Sequence, residues 1–499
     1  MNRDVERRDD RGNPRREFLA GAAGAGLSMM AHLALGGRAA HAQPWTGAGL
    51  PWVVATDYGV NGSGTVDASG ALLALFERIG AWGATVLLPP GRYRLDSRVT
   101  VPRSVTLAFA AGARLTGEGP LRIDGSLDAG LQHIFDGPRV EFGPGSVPWV
   151  VPQWWGARGD GVHDDTAALQ SALDARITLI PAGKYRTTCE LVVKHRSTII
   201  GVGNSWSPRP TADSWIQYDG PEDPDAAVLR AATERVGRDP AVALDSVHIE
   251  KVVLNGGNRA GYGLYSVFCT NDSTFVDITA RHCTQHGFFI SQQWYASYRN
   301  LVARNNPGCG VTIGAVFDGW REQGVNGIEL SNIRAAGNGS DGRFDERSSL
   351  RWGYGVYFRP GAGTVLRQVV SEKNFGPGLI YDLGPFGSNR VEGGYLEKNG
   401  LDARAAGKSS RPWGLVVIGH RNARANAVDS VYLHGAVGDP RAQAVWLTGE
   451  RPAGRLMLGD LSFGQYLHAD WSRYGFRGYV YPGLRNHIVG ESPEGSGRR

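Results

Sequence analysis

From about Val252 onward, apolar residues fall into short alternating runs separated by polar corners, and the runs recur at a nearly constant interval. Glycine followed by an apolar residue appears at Gly263-Leu264, Gly287-Phe288, Gly310-Val311, Gly355-Val356, Gly378-Leu379 and Gly414-Leu415. The first two steps are 24 and 23 residues, and the step from Gly355 to Gly378 is again 23. A repeat of that length built from strands predicts an all-β solenoid. Aligning Ile278, Leu301, Ile333 and Val369 as inward residues puts Cys283, Asn306, Asn338 and Asn374 at one corner, with Asn399 in the next coil. Asparagines stacked at a turn can satisfy each other's amides from coil to coil.

A different pattern precedes this ladder. Trp155-Gly156-Ala157-Arg158-Gly159-Asp160-Gly161 is a glycine-rich turn, followed by Asp164-Asp165-Thr166-Ala167-Ala168-Leu169-Gln170 and then Ile180-Pro181-Ala182-Gly183-Lys184-Tyr185. Ala168, Leu169, Ala172 and Leu173 recur at helical spacing, which predicts a helix from about Thr166 with Asp164 or Asp165 accepting bonds from its free amides. The segment occurs twice. A shift of 97 residues lays Gly59 on Gly156, Asp67 on Asp164 and Leu72 on Leu169, and Leu88 to Tyr93 matches the later Pro-x-Gly-x-Tyr turn. Ser63 stands in the first copy where Asp160 is, and Ala68 where Asp165 is. An element that keeps its helix and turn while losing carboxylates reads as structural, so Asp160, Asp164 and Asp165 are assigned to capping before catalysis or metal binding.

The order of glycine turn, paired aspartates, helix and Pro-x-Gly-x-Tyr resembles the opening of the pectate-lyase-like superfamily. That resemblance covers Asp57 to about Tyr185 by motif and the rest by coil pattern. It implies a right-handed, single-stranded parallel β-helix with short N-terminal capping helices, acting on polysaccharide. The superfamily includes lyases, hydrolases, epimerases and phage tailspikes, so the reaction stays open. The chain lacks the Gly-His-Gly and Asn-Thr-Asp signatures of polygalacturonases and the Asp-Pro-His-Glu run of alginate epimerases. Gly419-His420-Arg421 is only a faint echo of the first, and no catalytic residue carries over.

Residues 1–42 are expected to be a twin-arginine export signal: Arg15-Arg16-Glu17-Phe18-Leu19, a Gly/Ala-rich apolar run, then Ala40-His41-Ala42. Residues 43–150 would hold the first copy of the motif, 151–436 the main β-helix, and 437–499 the last coils and cap. A periplasmic or secreted location follows, with no stable membrane insertion once the signal is removed. The net charge of +5 is spread along the chain, and no basic run interleaved with aromatics suggests nucleic acid. An acidic polysaccharide suits such a surface, and a homotrimer is an assembly that the solenoid admits. Cys189, Cys269, Cys283 and Cys309 allow three pairings, lack zinc-type spacing and read mostly as buried small apolar residues.

Strand alternation nominates the site. With Ile278 and Ala280 inward, Asp277, Thr279 and Arg281 point out. Repetition of that pattern gives one outward column of Asp277, Asn300, Asn332 and Gln368, beside another of Arg281, Arg304, Glu372 and Glu397. Glu372 and Glu397 are the candidate catalytic carboxylates, crowded so that one holds a proton and the other stays ionised. Arg281 and Arg304 are candidate holders of sugar carboxylates. A second outward face would carry Tyr357, Arg359 and Asp382, with Asp382 as a further catalytic candidate. It lies close to an insertion from Gly339 to Gly353. Trp294 and Trp352 are candidate sugar-stacking residues, with Trp320 and Trp413 also near turns or loops. His282, His286 and His420 are candidate proton carriers. No cofactor is firmly implied; calcium at Asp341, Asp345 and Glu346 is conceivable, though their spacing matches no defined calcium loop. The expected function is a polysaccharide lyase or glycoside hydrolase, against a uronan epimerase or a non-catalytic binding solenoid.

Overall fold

In the computed structural model the described residues are 52–175, 177–203, 212–232, 243–314, 324–340, 353–383, 387–400, 413–419, 423 and 426–434. Beyond these only the strands Ala444–Gly449, Leu456–Leu458, Leu461–Ser462, Leu467–Ala469 and Tyr479–Val480 are described. The proposed export signal, His420, Trp320, Trp352, Asp341, Asp345, Glu346 and the Trp413 side chain lie outside the described residues.

The chain is a right-handed parallel β-helix. Its first part winds through two four-stranded parallel sheets and one three-stranded sheet. Val86, Leu107, Leu115, Leu121, Ile123 and Phe135 point inward into one core. The main helix then builds a fifteen-stranded and a ten-stranded parallel sheet, with strands paired coil to coil as far as Tyr479–Val480. The strands after residue 437 extend these same two sheets. Ile278, Leu301, Ile333 and Val369 are fully buried in the main core, as the alternation predicts.

The helix expected at Thr166 runs Thr166–Asp174 and buries Ala168, Leu169, Ala172 and Leu173; its counterpart in the first copy is Ser69–Ile79. The two aspartates divide the work. Asp164 Oδ1 accepts the amide of Thr166 at 3.1 Å, and in the first copy Asp67 Oδ1 accepts the amide of Ser69 at 2.9 Å. Asp165 is fully buried and instead accepts the amides of Arg158 and Gly159 at 2.8 and 3.0 Å, holding the glycine turn closed.

The asparagine corner forms as read from the sequence. Asn306 Nδ2 donates to Asn338 Oδ1 at 2.8 Å, Asn338 Nδ2 to Asn374 Oδ1 at 2.8 Å, and Asn374 Nδ2 to Asn399 Oδ1 at 2.9 Å. The Cys283 amide joins the end of the ladder through Asn306 Oδ1 at 3.0 Å. All four asparagines are buried.

Candidate functional site

The long sheet bends within each strand. Asp277, Asn300, Asn332 and Gln368 have φ of 55°, 55°, 53° and 54°, a left-handed backbone that short polar side chains tolerate better than β-branched ones. In the strands Thr274–Arg281 and Ser297–Arg304, Val276 pairs with Arg299 and Ile278 with Leu301, while Asp277 and Asn300 drop out of the ladder. The column of Asp277, Asn300, Asn332 and Gln368 is therefore a corner that divides the outer surface into two facets. Its side chains still stack, with Asn300 donating to Asp277 and Asn332 donating to Asn300, each at 2.7 Å.

On the facet before the corner, Arg367 pairs with Glu329 at 2.8 Å and Glu392 at 3.0 Å, and Arg390 pairs with Glu392 at 2.7 Å. The other facet carries the nominated column. Register places Arg281 beside Arg304, Arg304 beside Ala336, Ala336 beside Glu372 and Glu372 beside Glu397. Adjacent rungs are about 4.8 Å apart. The Arg281 guanidinium lies 5.5 Å from the centroid of the Trp215 ring, and its buried Nε makes no hydrogen bond among the described residues. Burial, then the neighbouring Arg304 charge, lowers the Arg281 pKa; burial, then Arg281, lowers that of His282. His282 Nδ1 faces Asn255 Oδ1 at 3.3 Å.

At the other end of the column, Lys398 Nζ sits 2.7 Å from Glu397 Oε1, and the Tyr395 hydroxyl donates to the Glu397 carboxylate. The Tyr395 pKa is raised, by desolvation first and then by Glu397. Tyr395 stacks on Tyr432 with ring centroids 5.7 Å apart. Tyr395, Tyr432, Lys373 and Lys398 were absent from the candidate set. The alternation that selected Glu397 also selects Tyr395, so the signal for that residue was available.

The remaining candidates lie elsewhere. Tyr357, Arg359 and Asp382 do come together, but on the ten-stranded sheet, so Asp382 is not grouped with Glu372 and Glu397. Tyr357 donates to Asp382 Oδ2 at 2.7 Å, and Arg359 Nε is 4.0 Å from the same oxygen. Both Tyr357 and Asp382 are buried, and burial first, then the Asp382 charge, raises the Tyr357 pKa. His286 belongs to that sheet too, with Nδ1 2.7 Å from Thr312 Oγ1 and its ring stacked on Tyr262. Trp294 stacks against Phe268 at 6.0 Å and bridges to Thr270 and Asn326 through its backbone, so it packs against the solenoid's own turns. Among the described residues no group of three or more His, Cys, Asp or Glu could hold a metal, and no helix is long and apolar enough to cross a membrane.

No family model matches the chain. It is 28% identical over 237 residues to mannuronan C5-epimerase AlgE1 of Azotobacter vinelandii, an alignment covering 39% of this chain and 16% of that protein. Mannuronan C5-epimerase AlgE5 of the same organism is 27% identical over 252 residues, 42% of this chain and 24% of that protein. A capsule-specific depolymerase of Klebsiella phage K5-2 is 32% identical over 124 residues, 22% of this chain and 16% of the depolymerase. The chain thus spans less than a quarter of each of these relatives. Among solved structures, an Acinetobacter phage tailspike superposes with a TM-score of 0.40 at 12% identity, covering 70% of this chain and 66% of the tailspike.

Proposed function

We propose that the protein is an exported polysaccharide-modifying enzyme that lays an acidic glycan along the second facet of the long sheet and cleaves it by hydrolysis at Glu372 and Glu397. The supporting observation is the shared register of Arg281, Arg304, Glu372 and Glu397 on one outward column. A rung spacing of about 4.8 Å approximates the advance of one sugar in an extended chain, so a polymer parallel to the axis meets one rung per sugar. Arg281 and Arg304 would bind carboxylated sugars. Glu372, beyond the Ala336 rung, would donate a proton to the leaving oxygen. Glu397, beside the Lys398 cation and the Tyr395 hydroxyl, suits the ionised role of base or nucleophile.

A second reading is C5 epimerisation of a uronate, favoured by the two relatives named as mannuronan C5-epimerases. Here an arginine would neutralise the sugar carboxylate while a neighbouring base exchanges the proton alpha to it. The two readings separate when acidic polysaccharides are incubated with the protein in deuterated water. New reducing ends without carbon-bound deuterium support hydrolysis. Deuterium without new ends supports epimerisation, and new ends with the ultraviolet absorbance of an unsaturated uronate mean elimination. Glu372→Gln and Glu397→Gln should each lower turnover by about 10²–10⁴-fold with little change in the thermal midpoint. Full activity in both variants would remove the site assignment.

A further inference from the structure

The two copies of the opening motif differ in what lies over the aromatic residue preceding the glycine. The 97-residue shift pairs Tyr58 with Trp155 and Arg78 with Ala175. In the first copy the Arg78 guanidinium sits 5.3 Å from the centroid of the Tyr58 ring, occupying the space beside it. In the second copy Ala175 has no side chain long enough to do so. A cleft of about 770 Å³ opens there, between the last rung of the first solenoid part and the helix Thr166–Asp174.

One wall of the cleft is aromatic. Trp155 packs against other rings, 5.3 Å from Phe135 and 6.3 Å from Phe142, centroid to centroid. Both phenylalanines also line the cleft. The facing wall is the helix, which presents the small side chains of Ala167, Ala168, Ser171 and Ala175, with Asp174 at its end. Charged groups at the rim are already matched. Glu141 lies 3.9 Å from Arg122 and 4.0 Å from Arg139, Asp174 lies 2.8 Å from Lys194, and Asp136 lies 2.9 Å from Arg92. The site therefore offers a braced ring and hydrogen-bonding groups with little net field, unlike the facet of Arg281 and Arg304.

We propose that this cleft is a second saccharide-binding site, separate from the Glu372–Glu397 column, that takes a short run of neutral pyranose sugars stacked on Trp155. The proposal rests on the reading that the protein handles polysaccharide. The C–H face of a pyranose matches an aromatic ring, its hydroxyls match the charged groups and Ser171 of the lining, and the cleft volume is that of ordinary ligand sites at domain seams. In the first copy Arg78 fills the equivalent place, so one site is retained where two could have been.

The full chain is titrated with cellohexaose and with a mannuronan hexamer by calorimetry and tryptophan emission, at low and high salt. Cellohexaose should bind with a dissociation constant in the millimolar range or below, unchanged by salt. Ala175→Arg, which installs the side chain of the first copy, should weaken that binding at least tenfold. Trp155→Ala should do the same, and the thermal midpoint of each variant checks its folding. Absence of cellohexaose binding, or binding undiminished in a folded Ala175→Arg variant, overturns the proposal. Binding of the mannuronan hexamer alone, abolished by salt, overturns the neutral-sugar assignment. Cellohexaose binding lost in Arg281→Ala and kept in Ala175→Arg would move the sugar to the facet, sinking this proposal while leaving the proposed function standing. Turnover lost in Glu372→Gln with cellohexaose binding intact is the pattern expected when both hold.

Discussion

Asn338→Ala tests the device that holds the coils in register. The Asn338 side chain takes part in four hydrogen bonds. Its Oδ1 accepts the Asn306 amide at 3.2 Å and Asn306 Nδ2 at 2.8 Å, and its Nδ2 donates to Asn374 Oδ1 at 2.8 Å and to the Ala303 carbonyl at 3.1 Å. Alanine removes all four inside a buried corner. Two of the stranded groups keep another partner: Asn306 Nδ2 still reaches the Ala280 carbonyl at 3.3 Å, and Asn374 Oδ1 still accepts the Asn338 amide at 3.0 Å. At about 1 kcal/mol net per bond, with the penalty for buried unpaired groups added, the loss should be roughly 4 kcal/mol. A solenoid communicates mainly between neighbouring coils, so the damage should be local. Hydrogen exchange followed by mass spectrometry is therefore the assay. Amides in the strands Ser297–Arg304, Glu329–Ala336 and Val365–Glu372 should exchange about a thousandfold faster, while those of residues 52–150 stay unchanged. Because Asn374 and Asn399 each follow a candidate carboxylate by two residues, turnover should fall as well. Protection within threefold of the parent protein would refute the view that the ladder sets the register.

Other tests address the buried groups. Asp165→Asn should cost about 2 kcal/mol, because an amide cannot replace both charge-assisted bonds to Arg158 and Gly159, and thermal denaturation would show it. Asp160, exposed and bonded among the described residues only to the nearby Val162 and His163 amides, should accept asparagine with unchanged turnover if it is structural. A thiol reagent should label Cys189 alone in the folded protein, since none of the four cysteines forms a disulfide and the other three are buried. Burial pushes the Cys269 and Cys283 thiols from 9 up to about 12. Below about pH 9 they are neutral whether folded or not; above it the unfolded chain loses protons that the folded chain keeps. Stability should therefore decline between about pH 9 and 12, by on the order of 4 kcal/mol per thiol, and Cys283→Ala should flatten the decline. A denaturation midpoint independent of pH across that window would contradict the sign.

The coil register was legible because its markers recur together: an inward β-branched residue or leucine, a glycine before an apolar residue, and an asparagine at the corner. Those markers put Arg281, Arg304, Glu372 and Glu397 in one column. The bend at Asp277, Asn300, Asn332 and Gln368 was not legible, since polar residues at outward positions look the same on a flat strand and at a left-handed corner. Gly393, with φ of 71° in the same column, and the Asp and Asn types of Asp277, Asn300 and Asn332 are its only hints, since these residues tolerate a left-handed backbone. The burial of the outer face around Tyr357 has its own sequence mark: Val356-Tyr357-Phe358 is apolar throughout, the pattern of a strand covered on both sides. The cleft at Trp155 depended on comparing Ala175 with Arg78, a difference that carries meaning only once Arg78 is seen beside Tyr58.

The bend also separates two facets whose charges are arranged differently. Before the corner, charges close on each other: Arg367 is shared by Glu329 and Glu392, and Arg390 also turns to Glu392. A ligand would have to break those pairs to bind there. After the corner, Arg281 and Arg304 occupy paired positions on adjacent rungs, and the Arg281 pKa is lowered by burial and by the Arg304 charge. The like charge of Arg304 near the partly buried Arg281 guanidinium raises the free energy of the unliganded face, and an anion lying against Arg281 relieves it. Replacing Arg281 with glutamine should therefore stabilise the empty protein slightly while weakening its hold on an acidic glycan. A charge pair that served only the fold would show the opposite sign.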